Sequence, residues 1–176
     1  MIVSYIKKFL IKSYALVFGD TNETYWLTRD LLIRAFGFIY LCVFIPILFQ
    51  YQGLLGEKGL LPVITFMSKI KLIYPDILSG IWGRPTLFWF FDSDIFALFL
   101  ASIGCCLATL CILGRGSFVI FFVLWCLQLS FTHVGQTFWS FGWETNLLEL
   151  TFLALFLCPF WNTTPYPNTH PPSKVL

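Results

Sequence analysis

From Ile95 to Leu113 the chain carries no charged residue, and after Gly114, Arg115 and Gly116 a second uncharged run begins at Ser117 and lasts to Thr132. A helix needs about 20 predominantly apolar residues to cross the hydrocarbon of a bilayer, within a usual range of about 17 to 25. Leu31 to Phe49 forms another such run, with Arg34 as its only charge, and Leu147 to Trp161 a fourth, interrupted by Glu149. The shorter third and fourth runs reach spanning length by extending into His133–Val134 and Trp143–Asn146. The expected fold is therefore all-α: a polytopic membrane helix bundle of about four transmembrane helices, at 29–49, 95–113, 117–134 and 143–161, with interfacial amphipathic helices beside them. Composition agrees. The chain is 58% hydrophobic and 11% charged, with a mean hydropathy of +0.80. Nine acids and eleven bases are too few to coat a soluble domain of this size. A net charge of +2 without a long basic run speaks against nucleic acid as a partner.

The segments outside the spans have their own patterns. In residues 1–24, Lys8 and Lys12 share a helical face with Ser4, while Ile6, Phe9, Leu10 and Val17 lie mainly on the other. That is the pattern of a basic helix lying on a membrane surface. From Pro62, the residues Val63, Phe66, Met67, Ile70 and Ile73 recur at helical spacing opposite Thr65, Ser68 and Lys69, which predicts a second interfacial helix with Pro62 in its first turn. Gly114-Arg115-Gly116 predicts a tight helical hairpin, and Ala97, Ala101, Gly104, Cys105 and Ala108 form a stripe of small side chains against which another helix can pack closely. The tail 162–176 is rich in proline and has no apolar periodicity, so it is expected to be disordered. The six cysteines lie in apolar runs without zinc or redox spacing, as buried free thiols do. With four spans, Lys7, Lys8, Lys12, Arg29, Arg115 and Lys174 share one side, and Lys58, Lys69, Lys71 and Arg84 the other. The excess points the first side toward the cytoplasm. The sequons at Asn22 and Asn162 then face the cytoplasm as well, and are incidental.

Polar residues that bear on function gather between His133 and Glu149. Trp139 and Trp143 suit membrane-interface anchors. Gln136 can satisfy exposed backbone groups in the turn. Glu144 falls in the first turn of the fourth helix, where the positive helix end favours a carboxylate. Glu149 lies about 10 Å into that helix, where an ionised acid must pair, protonate or face a polar cavity. Arg34 is a candidate partner for it only if their depths match; entering from the opposite side, Arg34 is expected to snorkel to its own interface instead. Asp92 and Asp94 precede the second span and suit cation binding or acid–base work, but more simply helix capping, with Ser93 or Asp94 at the cap. His133 has no nucleophile or metal-ligand partner at a recognisable spacing, and no phosphate loop, nucleophile elbow or zinc-protease motif occurs. No catalytic, cofactor or metal residue is assigned, and an enzyme is the less favoured class.

An ordered set of segments resembles the lipase maturation factor family. These are Tyr25 to Arg34 with Phe36 to Leu41, Gly53 to Pro62, Pro85 to Trp89 leading to Ser93-Asp94, Val134 to Glu144, and Asn146 to Glu149 continuing through Ala154 to Pro159. Each piece is mostly apolar and weak alone; their shared order is the argument. Glu144 stands where the family more often has Asp. The resemblance implies a multi-pass membrane protein. Its animal members sit in the endoplasmic reticulum and help secreted lipases fold and assemble. Family members run on for several hundred residues, with more spans and a large non-membrane domain; set against them, this chain is either a truncated product without the part thought to engage clients or the front of a longer protein. The start close to the first span, without the longer leader of animal members, favours a bacterial inner membrane; in a eukaryote the expectation is the endoplasmic reticulum.

Three functions compete at this point. The first is a membrane-embedded folding or assembly factor that binds a client protein or membrane partner through the non-cytoplasmic loops, from Leu54 to Asp94 above all. The second is an enzyme distantly similar to vitamin K-dependent carboxylase-type membrane proteins, built on Glu149, His133 or the aspartates. The third is a small channel or transporter component that forms a homo-oligomer through the small-residue stripe. No cofactor is called for, and the lipid bilayer is the partner common to all three.

Overall fold

The computed structural model describes residues 26–74, 76–158 and 160. The amphipathic segment 1–24, the tail 162–176 and both sequons lie outside the described residues. Six α-helices follow one another there: α1 Trp26–Leu54, α2 Val63–Ile73, α3 Ile77–Gly83, α4 Asp94–Ile112, α5 Phe118–Val134 and α6 Gly142–Leu155. Short 3-10 turns at Leu87–Trp89 and Gln136–Trp139 join them. All regular structure among the described residues is helical.

Two of the helices are long and apolar enough to cross a membrane, over Thr28–Leu54 and Asp94–Ile112. The first expected span is longer than its apolar run. α1 continues past Phe49 because Gln50 and Gln52 point outward while Tyr51 between them is buried. α5 is apolar but has 17 residues. α6 corrects the expectation most: its 14 residues stop at Leu155 rather than reaching 161, a length of about 21 Å at 1.5 Å per residue. The reason is local. Phe156, Leu157 and Cys158 donate to carbonyls three residues back, at 3.2, 3.1 and 3.3 Å, tightening the last turn ahead of Pro159, whose ring disfavours helix in the residue before it.

α1 and α4 form the closest pair. Ala97, Ala101, Gly104 and Ala108 are buried on α4, and a Cβ on Gly104 would collide with the Phe44 ring of α1. Reciprocally, a Cβ on Gly37 of α1 would meet the Ala108 carbonyl and the Ile112 nitrogen. Small residues thus let two backbones approach, as the sequence pattern implies, with Cys105 only half-buried at the edge. The stripe is covered by α1 of the same chain, so it presents no face to a second copy. The turn after α4 is a Schellman motif: Gly114 N–H reaches Cys111 O at 2.9 Å and Arg115 N–H reaches Leu110 O at 2.9 Å. Gly114 adopts φ +79°, a region glycine enters without Cβ strain. Ser117 then caps α5 by accepting from the Ile120 amide.

α5 packs back onto α1 through ring contacts, Phe36 on Phe121 at 5.7 Å and Phe44 on Phe131 at 6.2 Å. α6 returns alongside, so the ends of α1 and α5 and the starts of α4 and α6 meet at one end of the bundle, called here the loop end. The second interfacial helix departs from expectation. Val63, Met67 and Ile70 of α2 are buried in the same core as Leu55, Phe88 and Val134, so most of its apolar face meets protein. Only Ile73 of that face is exposed, and Pro62 stands just before the helix as its N-cap. Two cysteines also depart: Cys42 and Cys106 are exposed on the outer surface.

Candidate functional site: the loop end and the polar seam

At the loop end the expected capping residues take their places, and something more. Ser93 is the N-cap of α4 and accepts from the Phe96 amide at 3.3 Å. Asp94, in the first turn, reaches across instead: both its oxygens accept from the backbone amide of Glu57, at 3.2 and 3.1 Å. Asp92 pairs with Lys71 of α2 at 2.9 Å. Gln136 does satisfy a backbone group, but a distant one: its Nε2 donates to Leu61 O at 3.1 Å. Holding that contact puts Gln136 at φ +50°, a strained region for a residue with a Cβ. Thr86 donates its hydroxyl hydrogen to Ser130 O at 3.2 Å, and Leu87 N–H donates to Ser130 Oγ at 3.0 Å. The loop from Leu55 to Asp92 is therefore tied to α4, α5 and the turn before α6.

Trp139 is half-buried, and a Cβ on Gly135 would strike it; Trp143 is exposed. His133 is half-buried in the last turn of α5. Glu144 goes beyond a helix-end charge. It is 2% exposed and its carboxylate accepts from Nε2 of Gln128, a fully buried side chain of α5. Deeper in the bundle Tyr40 donates to Thr151 Oγ1 at 2.8 Å, and Trp125 Nε1 donates to Leu148 O at 3.1 Å. These bonds make a polar seam joining α6 to α1 and α5. Gln128, Tyr40 and Thr151 were missed from sequence, although a Gln inside an apolar span was a usable signal, since it must find a partner there.

The remaining candidates separate. Arg34 sits at the opposite end, bonded to Asp30 at 2.9 Å and to the Ile112 carbonyl at 2.9 Å, where a cation meets the unpaired carbonyls of α4. It does not reach Glu149. Glu149 is exposed and borders an open apolar hollow with Trp125, Leu148, Phe152 and Leu153. Among the described residues no three His, Cys, Asp or Glu side chains are grouped to hold a metal. Asp94 holds the Glu57 amide, Asp92 pairs with Lys71 and Glu149 faces outward, and nothing in these placements favours the carboxylase-type reading. The arrangement is suited to bracing and to presenting a surface.

Comparison with known proteins gives this geometry a setting. Residues 27–176 match the family model described as the lipase maturation factor transmembrane domain. Lipase maturation factor 1 of Homo sapiens is 35% identical over 162 residues, covering 87% of this chain and 28% of that protein. The Bos taurus protein of the same name is 34% identical over 160 residues, with the same coverage. Lipase maturation factor 2 of Xenopus laevis is 31% identical, covering 78% of this chain and 21% of its own length. The chain thus spans about 28% of the first of these relatives. All three are vertebrate proteins, which leaves the expected bacterial inner membrane without support. No solved structure matches.

Proposed function

The chain belongs to the lipase maturation factor family, and on that premise we propose that it acts in the endoplasmic reticulum membrane as a folding or assembly factor for secreted lipases. In this reading α1, α4, α5 and α6 all cross the bilayer, with the Arg115 turn on the cytoplasmic side and the loop end in the lumen, where secreted clients fold. The match over 27–176 to a transmembrane domain of this family carries the reading. The loop end supports it: Lys71–Asp92, Asp94 to the Glu57 amide and Gln136 to Leu61 O hold the loop as a braced surface suited to binding without turnover.

The test is coexpression with a secreted lipase in cells lacking their own maturation factor, reading secreted lipase activity and capture of the lipase by the chain. Capture and restored secretion are expected, both weakened by Gln136→Ala, which frees the loop at Leu61. A chain that reaches the membrane intact yet neither captures the lipase nor restores its secretion would sink the proposal.

A further inference from the structure

The segment from Leu72 to Arg84 carries only two charges, Asp76 and Arg84, one at each flank of α3. It projects large apolar side chains away from the protein: Leu72 is 85% exposed, Leu78 75% and Trp82 89%, with Ile73 and Ile77 exposed beside them. Its other face is pinned. Gly80 packs so closely on Trp89 that a Cβ would collide with the ring, and the turn containing Trp89 is bonded to Ser130 through Leu87. Ser130 lies four residues before the end of α5, about 6 Å inside the helix. The side chain of Trp89 donates to Arg84 O at 2.9 Å, and Ser79 donates to Asp76 O at 2.7 Å. These two bonds satisfy the Ser79 hydroxyl and the Trp89 indole within the segment and its adjoining turn, so neither is left to face acyl chains unpaired.

From this we propose that Leu72–Arg84 dips into the leaflet on the loop side of the bilayer, with lipid covering Leu72, Leu78 and Trp82. The inference rests on the membrane placement proposed above. Three observations select lipid over a protein client. The face is a short helix with Trp82 standing almost fully exposed on it. It is anchored below the end of α5, at the depth of the spans. Its flanks carry Lys69, Lys71 and Arg84, with Arg84 over the Phe66 ring at 5.6 Å, placing cations where headgroups lie. Client contact then falls to the polar side of the loop, around Glu57, Lys58 and Ser68, all exposed.

The test uses the purified full chain in vesicles of phosphatidylcholine containing a diazirine-bearing phosphatidylcholine, with no client present. After illumination, tandem mass spectrometry locates the lipid adducts. Adducts on residues 72–84 as well as on α1 and α4 are expected. Trp82→Glu should remove them several-fold from this segment alone, while the melting temperature of the protein stays near that of the parent, because the side chain is outside the core. Adducts on α1 and α4 with none on 72–84 would overturn the inference and leave the membrane reading standing. Equal adducts on 72–84 in the parent and in Trp82→Glu would also overturn it.

Discussion

The seam between α1 and α4 and the seam that holds α6 bury opposite kinds of side chain. The first is made of Gly37, Ala97, Ala101, Gly104 and Ala108, with Phe44 laid over the gap. The second depends on Gln128–Glu144, Tyr40–Thr151 and Trp125 to the Leu148 carbonyl. Helices surrounded by hydrocarbon gain little from hiding apolar surface from one another, so close backbone approach and interhelical hydrogen bonds supply the attraction. One bundle uses both routes, each in a different place. The contrast also goes with the lengths. α1 and α4 are long helices joined along their faces, whereas α6, at 14 residues, has less surface to offer and holds on through polar pairs.

The comparison breaks most visibly at the small-residue seam. Gly37→Val drives a side chain into the backbone of α4, which cannot yield; a loss of about 3 kcal/mol or more is expected, seen as a large drop in melting temperature in detergent. Next is the polar seam. Glu144→Leu leaves Gln128 buried without its partner and should cost about 2 kcal/mol. The double variant Gln128→Leu, Glu144→Leu should return to within about 1 kcal/mol of the parent. A double variant no better than the single one would mean the seam depends on shape and not on the paired groups. Tyr40→Phe should cost about 0.6 kcal/mol, since Thr151 keeps its bond to Leu147 O at 2.7 Å. The smallest effect is expected at the other acid of α6: Glu149→Leu, on the exposed face, should change stability by less than about 0.5 kcal/mol. A loss there as large as at Glu144 would show that Glu149 has a partner and would dissolve the distinction between the two acids.

Much of the small-residue seam was legible beforehand because its signal is periodic: Ala97, Ala101 and Ala108 recur on one helical face. The Gly114–Gly116 hairpin was legible for a similar reason, since a left-handed glycine after an apolar run is a local device. The polar seam was not. Nothing in the spacing of Gln128 and Glu144, or of Tyr40 and Thr151, says that they meet; such pairings follow from the rotation of each helix about its own axis. The same rotation turned Glu149 outward while Glu144 turned in, five positions away on one helix.

The amino-acid sequence by itself determined that this chain is helical, built for a membrane and folded as a hairpin at Arg115, because apolar runs, charge scarcity and glycine turns act locally. Its ordered motifs also pointed to the family. Tertiary structure decided which acid is buried, and that most of the apolar face of α2 lies on protein while the Trp82 face stays uncovered. Those outcomes depend on competition between surfaces distant in the chain. A single apolar face can satisfy itself against lipid or against protein, and only the assembled bundle sets which of the two is within reach.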